Sequence, residues 1–219
     1  MFIQKILKFL FFFCFVKPYI YLVLGVNVSG VEYLPKVSKG PAIIVANHNS
    51  HIDTLLLMSL FSSTQILKVH PVAAEDYFCN TKLKSFFFKT LLGLIPLKRK
   101  FGKTTKEELF REINDALKSG ETIIIYPEGT RGEDNSINEF KSGVAHIASM
   151  NPDVPVVPFY INGPDRILPK GAFLWVPFIA DVYVAEGIKY DNTPTKVFTE
   201  RIKNVVTTLK EEHKRREEL

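Results

Sequence analysis

The fold is decided by residues 42–58, whose sequence is AIIVANHNSHIDTLLLM. The apolar run Ala42–Ala46 is typical of a buried strand, and the apolar run Thr54–Met58 is typical of a helix. His48 and Asp53 lie between the two runs, so a histidine and a carboxylate flank a predicted strand-to-helix turn. Turns held by such a scaffold commonly present functional side chains to a cleft. The stretch therefore predicts an α/β fold and a place for a general base with the group that orients it.

Strand-like and helix-like segments alternate along the rest of the chain. We predict strands over 28–34, 42–46, 70–74, 94–97, 122–125 and 154–161, with one or two more within 173–186. We predict helices over 51–61, 80–92, from Thr105 to just before Gly120, around 144–148, and over 195–217. This alternation is typical of an α/β domain with a central mixed, largely parallel sheet flanked by helices. The 219 residues, 46% of them hydrophobic, suffice for one substantial domain, which we place at residues 28–219.

The first 27 residues differ from the rest in composition. They contain three lysines and no acid, and they hold two apolar runs, Phe9–Val16 and Tyr19–Val26, separated by Lys17-Pro18. Each run is well short of the roughly 20 residues that span a bilayer. A cleaved signal peptide, a single tilted spanning helix and a buried soluble hairpin are the alternatives. We favour two short helices with a kink that lie in the membrane interface, with Lys5, Lys8 and Lys17 reaching the headgroups. Residues 1–27 are therefore predicted to be a membrane-associated helical segment.

The charge balance favours an anionic partner. The net charge is +5 and the isoelectric point is near 9.1, which suits nucleic acid, a membrane surface or a phosphorylated substrate. No nucleic-acid-binding module is recognisable in the sequence, so nucleic acid is not an expected partner. Cys14 and Cys79 have no framework spacing, which favours a reducing compartment without a structural disulfide. The sequence shows no cluster with metal-ligand spacing, and we predict no metal site.

His48 and Asp53 are candidates for an acid–base pair. Positions five apart on a regular helix point about 140° away from each other, so the two side chains meet only if His48 lies on the turn ahead of the helix. Asp53 would then accept from one imidazole nitrogen and leave the other as a base. Two alternatives stay open. Ser50-x-x-Asp53 is itself a capping-box pattern, in which Asp53 only caps the helix, and His51 is a rival base or a plain surface residue.

Three further blocks contain residues suited to anion binding. Tyr126–Arg131 follows a predicted strand, where loops line the ligand crevice of an α/β sheet. Arg131 suits a phosphate unless it pairs with Glu128. Lys141 precedes a predicted helix, whose N-terminus also favours an anion. Arg99, with lysines on both sides, is alternatively part of a basic patch that faces a membrane.

Together these blocks resemble the glycerophospholipid acyltransferase family, specifically the 1-acyl-glycerol-3-phosphate (lysophosphatidate) acyltransferases. The matching positions are His48 and Asp53 preceded by Asn47, the block Gly93–Arg99, the block Glu128–Arg131 extended by Phe140–Gly143, and the apolar strand Val154–Pro158. The resemblance covers roughly residues 28–165, and four blocks in order are far more specific than any one of them. Two positions depart from the family pattern: Lys98 stands where an acid is frequent, and Ser142 stands where a second lysine is frequent. Both departures bear on headgroup specificity.

The resemblance implies an O-acyltransferase that moves a fatty acyl group from acyl-CoA or acyl carrier protein to the sn-2 hydroxyl of 1-acyl-glycerol-3-phosphate, giving phosphatidic acid. His48 would be the general base and Asp53 would hold its ring, without a metal or a cofactor. The oxyanion needs backbone N–H donors, for which the turn beside His48 is a candidate, but the sequence does not place them. The residues implied to bind substrate are Arg99, Glu128, Gly129, Thr130, Arg131, Lys141, Ser142 and Gly143.

The implied partners are membrane lipids, lysophosphatidic acid and the acyl donor, with the active site on the cytoplasmic face of a membrane. One alternative is an acyltransferase for another lysophospholipid or for an amino-acid lyso-lipid. The alternative outside the enzymes is a membrane lipid-binding protein that has lost activity. The presence of His48, Asp53, Glu128 and Arg131 argues against the loss of activity.

Overall fold

The computed structural model describes residues 2–50, 52–78, 81–98, 105–132, 136–163 and 179–218. In chain order the strands are β1 Val26–Ser29, β2 Ile43–Ala46, β3 Val69–Ala74, β4 Ile95–Leu97, β5 Thr122–Ile125, β6 Val156–Asn162 and β7 Ala180–Val184. They form one seven-stranded sheet in the order β1-β7-β6-β2-β5-β3-β4.

The α-helices of the described ranges, numbered in chain order, are α1 Phe2–Phe11, α2 Lys17–Tyr19, α3 Leu34–Lys39, α4 Ile52–Ser59, α5 Glu75–Phe78, α6 Lys82–Phe87, α7 Lys106–Leu109, α8 Arg111–Lys118, α9 Gly143–Met150 and α10 Thr195–Glu217. Short π-helical stretches cover Phe12–Val16, Ile20–Leu24 and Phe88–Leu92, and 3₁₀ turns cover Val31–Tyr33 and Gln65–Lys68.

The direction of the strands places the candidate site. β2 runs parallel to β5 and β6, and β3 runs parallel to β5 and β4, whereas β7 is antiparallel to β6 and parallel to β1. The predicted mixed, largely parallel sheet is therefore confirmed. Val45 of β2 lies opposite Ile125 of β5, so the loops that follow these two strands leave the same edge of the sheet side by side. That edge is where ligands bind in α/β folds.

Each face of the sheet has its own apolar layer, because successive side chains of a strand point to opposite faces. Ile44 and Ala46 of β2 pack with α4 and the N-terminal helical segment, through residues such as Leu56. Ile43 and Val45 pack on the other face with α8, α9 and α10. All four residues of β2 are buried, which fits a central strand covered on both sides. The site loops are therefore anchored to the most enclosed part of the fold.

The predicted strand over 28–34 is only partly formed. β1 ends at Ser29, Gly30 adopts a left-handed conformation with φ of 79°, and a 3₁₀ turn leads into α3. Pro35 lies in the first turn of α3, where its missing N–H needs no partner and its fixed φ suits a helix. The apolar pattern had indicated a strand that continues to residue 34. Pro35 instead begins a helix.

Other local features of the structure also agree with the sequence. The capping box at Thr105 is present, with the Thr105 side chain accepting from Glu108 N and the Glu108 side chain accepting from Thr105 N. Pro96 lies in β4, at the edge of the sheet. Gly93 ends the helical stretch before β4 in a left-handed conformation, which glycine adopts without a steric penalty. β7 falls within the region 173–186, whose first residues lie outside the described ranges.

The lysines of the N-terminal segment differ from the prediction. The Lys8 amine is buried and donates to the Val69 carbonyl at 2.7 Å, and the Lys17 amine donates to the Phe61 carbonyl at 2.6 Å. Lys5 is exposed. The prediction that these side chains reach headgroups is therefore wrong for Lys8 and Lys17, because each finds a backbone carbonyl of the domain. Burial lowers the pKa of Lys8 to about 7.

The N-terminal segment also contributes to the core of the domain. Helical turns follow one another from Phe2 to Leu24, with π-helical stretches on both sides of Pro18. Phe12 and Ile20 are buried in the same apolar layer as α4. No helix in the described part of the chain combines the length and the apolar content needed to cross a bilayer. Association of this segment with a membrane surface stays a prediction.

Candidate active site

Two loops meet at the carboxyl ends of β2 and β5, and the backbone ties them together. His48, in the loop after β2, donates its N–H to Oε1 of Glu128 at 2.9 Å, and its carbonyl accepts from Gly132 N at 2.8 Å. Glu128 and Gly132 both belong to the loop after β5. The adjacency of β2 and β5 in the sheet therefore brings two loops that lie 80 residues apart in sequence into one site.

His48 and Asp53 are in contact, as the strand-turn-helix interpretation requires. Nδ1 of His48 lies 3.0 Å from Oδ2 of Asp53, whose side chain is only 1% exposed. The same oxygen accepts the N–H groups of Asn49 and Ser50 at 2.8 Å each. Asp53 therefore orients the imidazole and also caps the turn that leads into α4, so the two interpretations of this residue are both realised.

The other imidazole nitrogen of His48, Nε2, faces away from Asp53. It has no hydrogen-bond partner among the described residues, and the His48 side chain is 17% exposed. An imidazole that is held at one nitrogen and accessible at the other is the arrangement of a general base. His51, the rival base, lies outside the described residues.

Three N–H groups of the turn, the candidate oxyanion donors that the structure describes, already have partners. The N–H groups of His48, Asn49 and Ser50 all donate to carboxylates, the first to Glu128 and the others to Asp53. These three groups are therefore not the oxyanion donors. A buried carboxylate needs hydrogen-bond donors, and the two carboxylates of the site use the donors of this turn.

Tyr126 covers one face of the His48 ring. The ring centroids are 4.1 Å apart and the ring planes are inclined by 19°. The Tyr126 hydroxyl lies 3.0 Å from Oγ1 of Thr54, which follows Asp53 in α4. Burial, together with the Asp53 carboxylate, raises the pKa of Tyr126 well above its ordinary value, so the phenol is neutral. Tyr126 was not among the predicted site residues. Its position one residue after a central strand, at the start of the Glu128 block, was the available signal.

Glu128 braces the two loops. Its Oε1 accepts from His48 N and its Oε2 accepts from Asn138 N at 3.0 Å, while the side chain is 3% exposed. Burial raises the pKa of Glu128, and the donors of Asn138 and His48 oppose that shift. The alternative in which Glu128 pairs with Arg131 is not realised in the described structure, where neither oxygen of Glu128 accepts from Arg131. Arg131 is half-buried in the same loop.

Lys141 lies over the same loop. Its amine approaches Gly129 so closely that a Cβ on that glycine would be 2.5 Å from Nζ, and Gly129 has a left-handed φ of 73°. The backbone N–H of Lys141 donates to the carbonyl of Pro127 at 2.9 Å. The glycine of this block is thus required both by its backbone conformation and by the lysine packed on it.

The remaining predicted substrate-binding residues differ in position. Thr130 and Ser142 are exposed, and Ser142 precedes α9 without a side-chain cap hydrogen bond. Gly143 begins α9, and a Cβ there would meet Phe110 at an ordinary 4.0 Å. Arg99 lies outside the described residues, so its role stays a prediction.

Asn47 and Asn138 were missed as parts of the site's framework. Asn47 is 1% exposed and exchanges two hydrogen bonds of 2.8 Å with the backbone of Ile161. It thereby joins the end of β2 to β6, directly before His48. Asn138 holds Glu128 through its backbone N–H, an interaction that residue type does not reveal.

A mostly parallel α/β sheet with a His-x₄-Asp pair and a Glu-Gly-Thr-Arg loop at its carboxyl edge defines a protein of the acyltransferase class. The sequence model of the family described as Acyltransferase matches residues 25–162. The chain belongs to this family, which confirms the family predicted from the sequence.

The chain is also similar to individual named proteins. A chloroplastic 1-acyl-sn-glycerol-3-phosphate acyltransferase of Arabidopsis thaliana is 30% identical over 158 residues, which are 70% of this chain and 40% of that protein. A 1-acyl-sn-glycerol-3-phosphate acyltransferase of Pseudomonas aeruginosa is 26% identical over 168 residues, which are 73% of this chain and 60% of that protein. The chain thus matches about half the length of these relatives.

A solved structure has the same fold. The crystal structure of the 1-acyl-sn-glycerophosphate acyltransferase of Thermotoga maritima superimposes with a TM-score of 0.72, over 95% of this chain and 78% of that one, at 24% sequence identity. The likeness confirms the predicted α/β fold.

Proposed function

We propose that this protein transfers a fatty acyl group from an acyl thioester to the sn-2 hydroxyl of 1-acyl-glycerol-3-phosphate, giving phosphatidic acid. The observation that carries the proposal is the His48–Asp53 contact at 3.0 Å, with the second imidazole nitrogen accessible. Relatives that carry this activity in their names match most of the chain. The geometry therefore supports His48 as the base, and the similarity to these relatives supports the reaction.

In the proposed reaction, Nε2 of His48 takes the proton of the acceptor hydroxyl while the hydroxyl oxygen bonds to the thioester carbonyl carbon. The tetrahedral intermediate then collapses and the carbon–sulfur bond breaks. The proton returns from His48 to the departing thiolate, so the histidine ends as it began. The Asp53 carboxylate stabilises the imidazolium formed in between. No protein side chain becomes acylated.

We further propose that Arg131 and Lys141 bind the phosphate of the acceptor, together with Arg99. Arg131 presents a planar guanidinium that suits phosphate, and Glu128 of the same loop accepts from the backbone N–H groups of His48 and Asn138. Lys141 brings a second cation to the same loop through its contact with Gly129. Gly129, Thr130, Ser142 and Gly143 would shape the loop and the start of α9 around that anion.

The acyl donor would be acyl-CoA or acyl carrier protein. Both are anionic, and the protein's net charge of +5 favours their approach. Assays with each donor in turn distinguish the two.

We also propose that the protein works on a membrane surface, with the site open to the cytoplasm. Large apolar side chains are exposed on the N-terminal segment and on α6: Phe2, Ile3, Ile6, Leu7, Leu10, Phe13, Phe15, Tyr21, Leu22, Leu83, Phe86 and Phe87. Lys5, Lys84 and Lys89 are exposed among them. The sequence contains no acid within residues 1–31 or 77–98. Such a face suits anionic lipid.

The deciding experiment is a panel of acceptors and donors assayed with the full chain in detergent and on anionic vesicles. Lysophosphatidate should be acylated, and matched acceptors without the phosphomonoester should be poor substrates. His48→Ala should abolish transfer, whereas His146→Ala, which changes a histidine on α9, should not. Acylation by His48→Ala at the wild-type rate would overturn the base assignment. A preference for another lyso-lipid would replace the acceptor but leave the reaction class standing.

The membrane proposal has its own measurement. Serine substitutions of Leu83, Phe86 and Phe87 should weaken sedimentation with anionic vesicles, whereas serine at the similarly exposed Val197 of α10 should not. Equal sedimentation of both variants would count against this face. Deleting the N-terminal segment is a poorer test, because Phe12 and Ile20 belong to the core.

A further inference from the structure

The His48 imidazole is held on two sides by neighbouring residues of one helix. Asp53 of α4 holds the edge of the ring at Nδ1. Thr54, the next residue of α4, holds the hydroxyl of Tyr126 at 3.0 Å, and the ring of Tyr126 lies on the face of the imidazole at 4.1 Å between centroids. The first residues of α4 thereby hold the imidazole ring in two ways. Asp53 holds its edge directly, and Thr54 holds its face through Tyr126.

The stacking has a chemical consequence as well as a geometric one. The face of a phenol ring carries partial negative charge and attracts a cation placed over it. The imidazole is neutral before it takes a proton and cationic afterwards. A nearly parallel phenol at 4.1 Å therefore interacts more favourably with the protonated ring than with the neutral one. An interaction that strengthens as the proton moves accelerates the step.

We propose that Tyr126 is a positioning residue for His48, which fixes the plane in which Nε2 meets the acceptor hydroxyl and stabilises the imidazolium formed by proton transfer. This role rests on the proposed function for its effect on turnover, but the contact itself does not. The hydroxyl of Tyr126 serves to anchor the ring through Thr54. The aromatic face, not the hydroxyl, acts on His48.

Three variants separate these contributions in the full chain. Tyr126→Leu removes the aromatic face, and Tyr126→Phe keeps the face and removes the hydroxyl. Thr54→Val keeps Tyr126 and removes only the Thr54 hydroxyl that contacts it. We expect Tyr126→Leu to lower kcat about tenfold, with the KM for the acceptor changed less than about twofold. Tyr126→Phe should keep most of the wild-type kcat. Thr54→Val should have a kcat similar to that of Tyr126→Phe.

The pH profile distinguishes this role from simple support of the loop. A general base works in its neutral form, so kcat/KM rises with pH as the imidazolium loses its proton. Without the aromatic face the imidazolium is less stable and loses its proton more readily. The acidic limb of the profile should therefore move to lower pH in Tyr126→Leu and stay in place in Tyr126→Phe. An unmoved limb in Tyr126→Leu, or equal losses of kcat in both variants, would overturn the proposal.

A measurement without turnover keeps this inference separate from the proposed function. A stacked phenol shifts the carbon-bound ring protons of His48 upfield in the NMR spectrum. The shift should persist in Tyr126→Phe and vanish in Tyr126→Leu. If the wild-type chain acylates none of the acceptors, the proposed function fails while this contact is still tested. If the wild-type shift is absent, the positioning role fails whatever the activity.

Discussion

Replacing Asp53 by asparagine removes one negative charge from the site and keeps nearly the same side-chain shape. Oδ2 of Asp53 accepts hydrogen bonds from His48 Nδ1, Asn49 N and Ser50 N. The amide oxygen of asparagine can occupy this position. Its NH₂ group then falls where Oδ1 lies, a buried atom with no hydrogen-bond partner among the described residues. The turn keeps its backbone hydrogen bonds, and the charge beside the imidazole is lost.

The size of the effect follows from the contact distance. When His48 takes a proton, the imidazolium and the carboxylate of Asp53 form an ion pair with Nδ1 and Oδ2 3.0 Å apart. With charge centres about 4 Å apart and an effective dielectric constant of about 20, the attraction is about 4 kcal/mol. It exists only after the proton has moved, so it lowers the barrier and leaves substrate binding unchanged. We expect kcat to fall about 10³-fold, with the acceptor KM changed less than about threefold.

Steady-state kinetics on the full chain in detergent measure this loss, with the midpoint of unfolding recorded for each protein. Asp181→Asn is the matched control, because Asp181 of β7 undergoes the same change while its carboxylate contacts Asn27 of the edge strand β1. The control should keep kcat within about twofold. A kcat for Asp53→Asn within about tenfold of wild type, with unfolding unchanged, would refute the reasoning.

Two further predictions concern stability and acceptor binding. Burial lowers the pKa of Lys8 from 10.5 to about 7, so between these pH values the unfolded chain binds a proton that the folded chain does not. The free energy of unfolding should therefore rise from pH 7 to 10.5 by on the order of 5 kcal/mol, and Lys8→Met should remove this rise, as denaturant titrations at each pH will show. Gly129→Ala should cost about 1–2 kcal/mol of stability for its left-handed φ and should raise the acceptor KM by displacing Lys141. Gly120→Ala, which has a similar φ of 77° and no atom within 4 Å of the added Cβ, should show the cost in stability alone, and an equal KM in both variants would contradict the proposed role of Lys141.

The contact between His48 and Asp53 could be predicted because it is local. A buried strand, a short turn and a helix within 17 residues leave few ways to place two side chains five positions apart. The capping interpretation of Asp53 was local too, and the structure shows that one carboxylate oxygen serves both purposes. Strands, helices and the capping box at Thr105 were likewise set by local pattern.

The partners that lie far apart in sequence could not be predicted in the same way. Tyr126 reaches His48 only because β5 is the neighbour of β2, and the sequence pattern does not specify the order of strands. Glu128 was expected either to pair with Arg131 or to bind substrate, whereas it accepts from the backbone N–H groups of His48 and Asn138. Residue type does not reveal which backbone donors a buried carboxylate will use.

The position of the Lys8 side chain could not be predicted from the sequence either. In sequence it belongs with Lys5 and Lys17 among apolar residues, a pattern typical of a helix at a membrane interface. Its amine instead reaches the Val69 carbonyl, 61 residues away, and is buried there. The composition of the segment indicated an amphipathic helix, but only the packed domain determines which lysines face it and which face outward.

The loop after β5 connects the acid–base chemistry to the proposed anion site. Within a few residues it contains Tyr126 on the face of His48, Glu128 on the backbone of His48, and Gly129 beneath Lys141. Because these contacts share one short segment, the phosphate site proposed at Lys141 would lie at a defined distance from Nε2 of His48. Such a distance would favour one hydroxyl of a glycerol phosphate over another. Breaking the brace with Glu128→Gln, which keeps the shape and removes the charge, should therefore relax the choice between hydroxyls as well as slow the reaction.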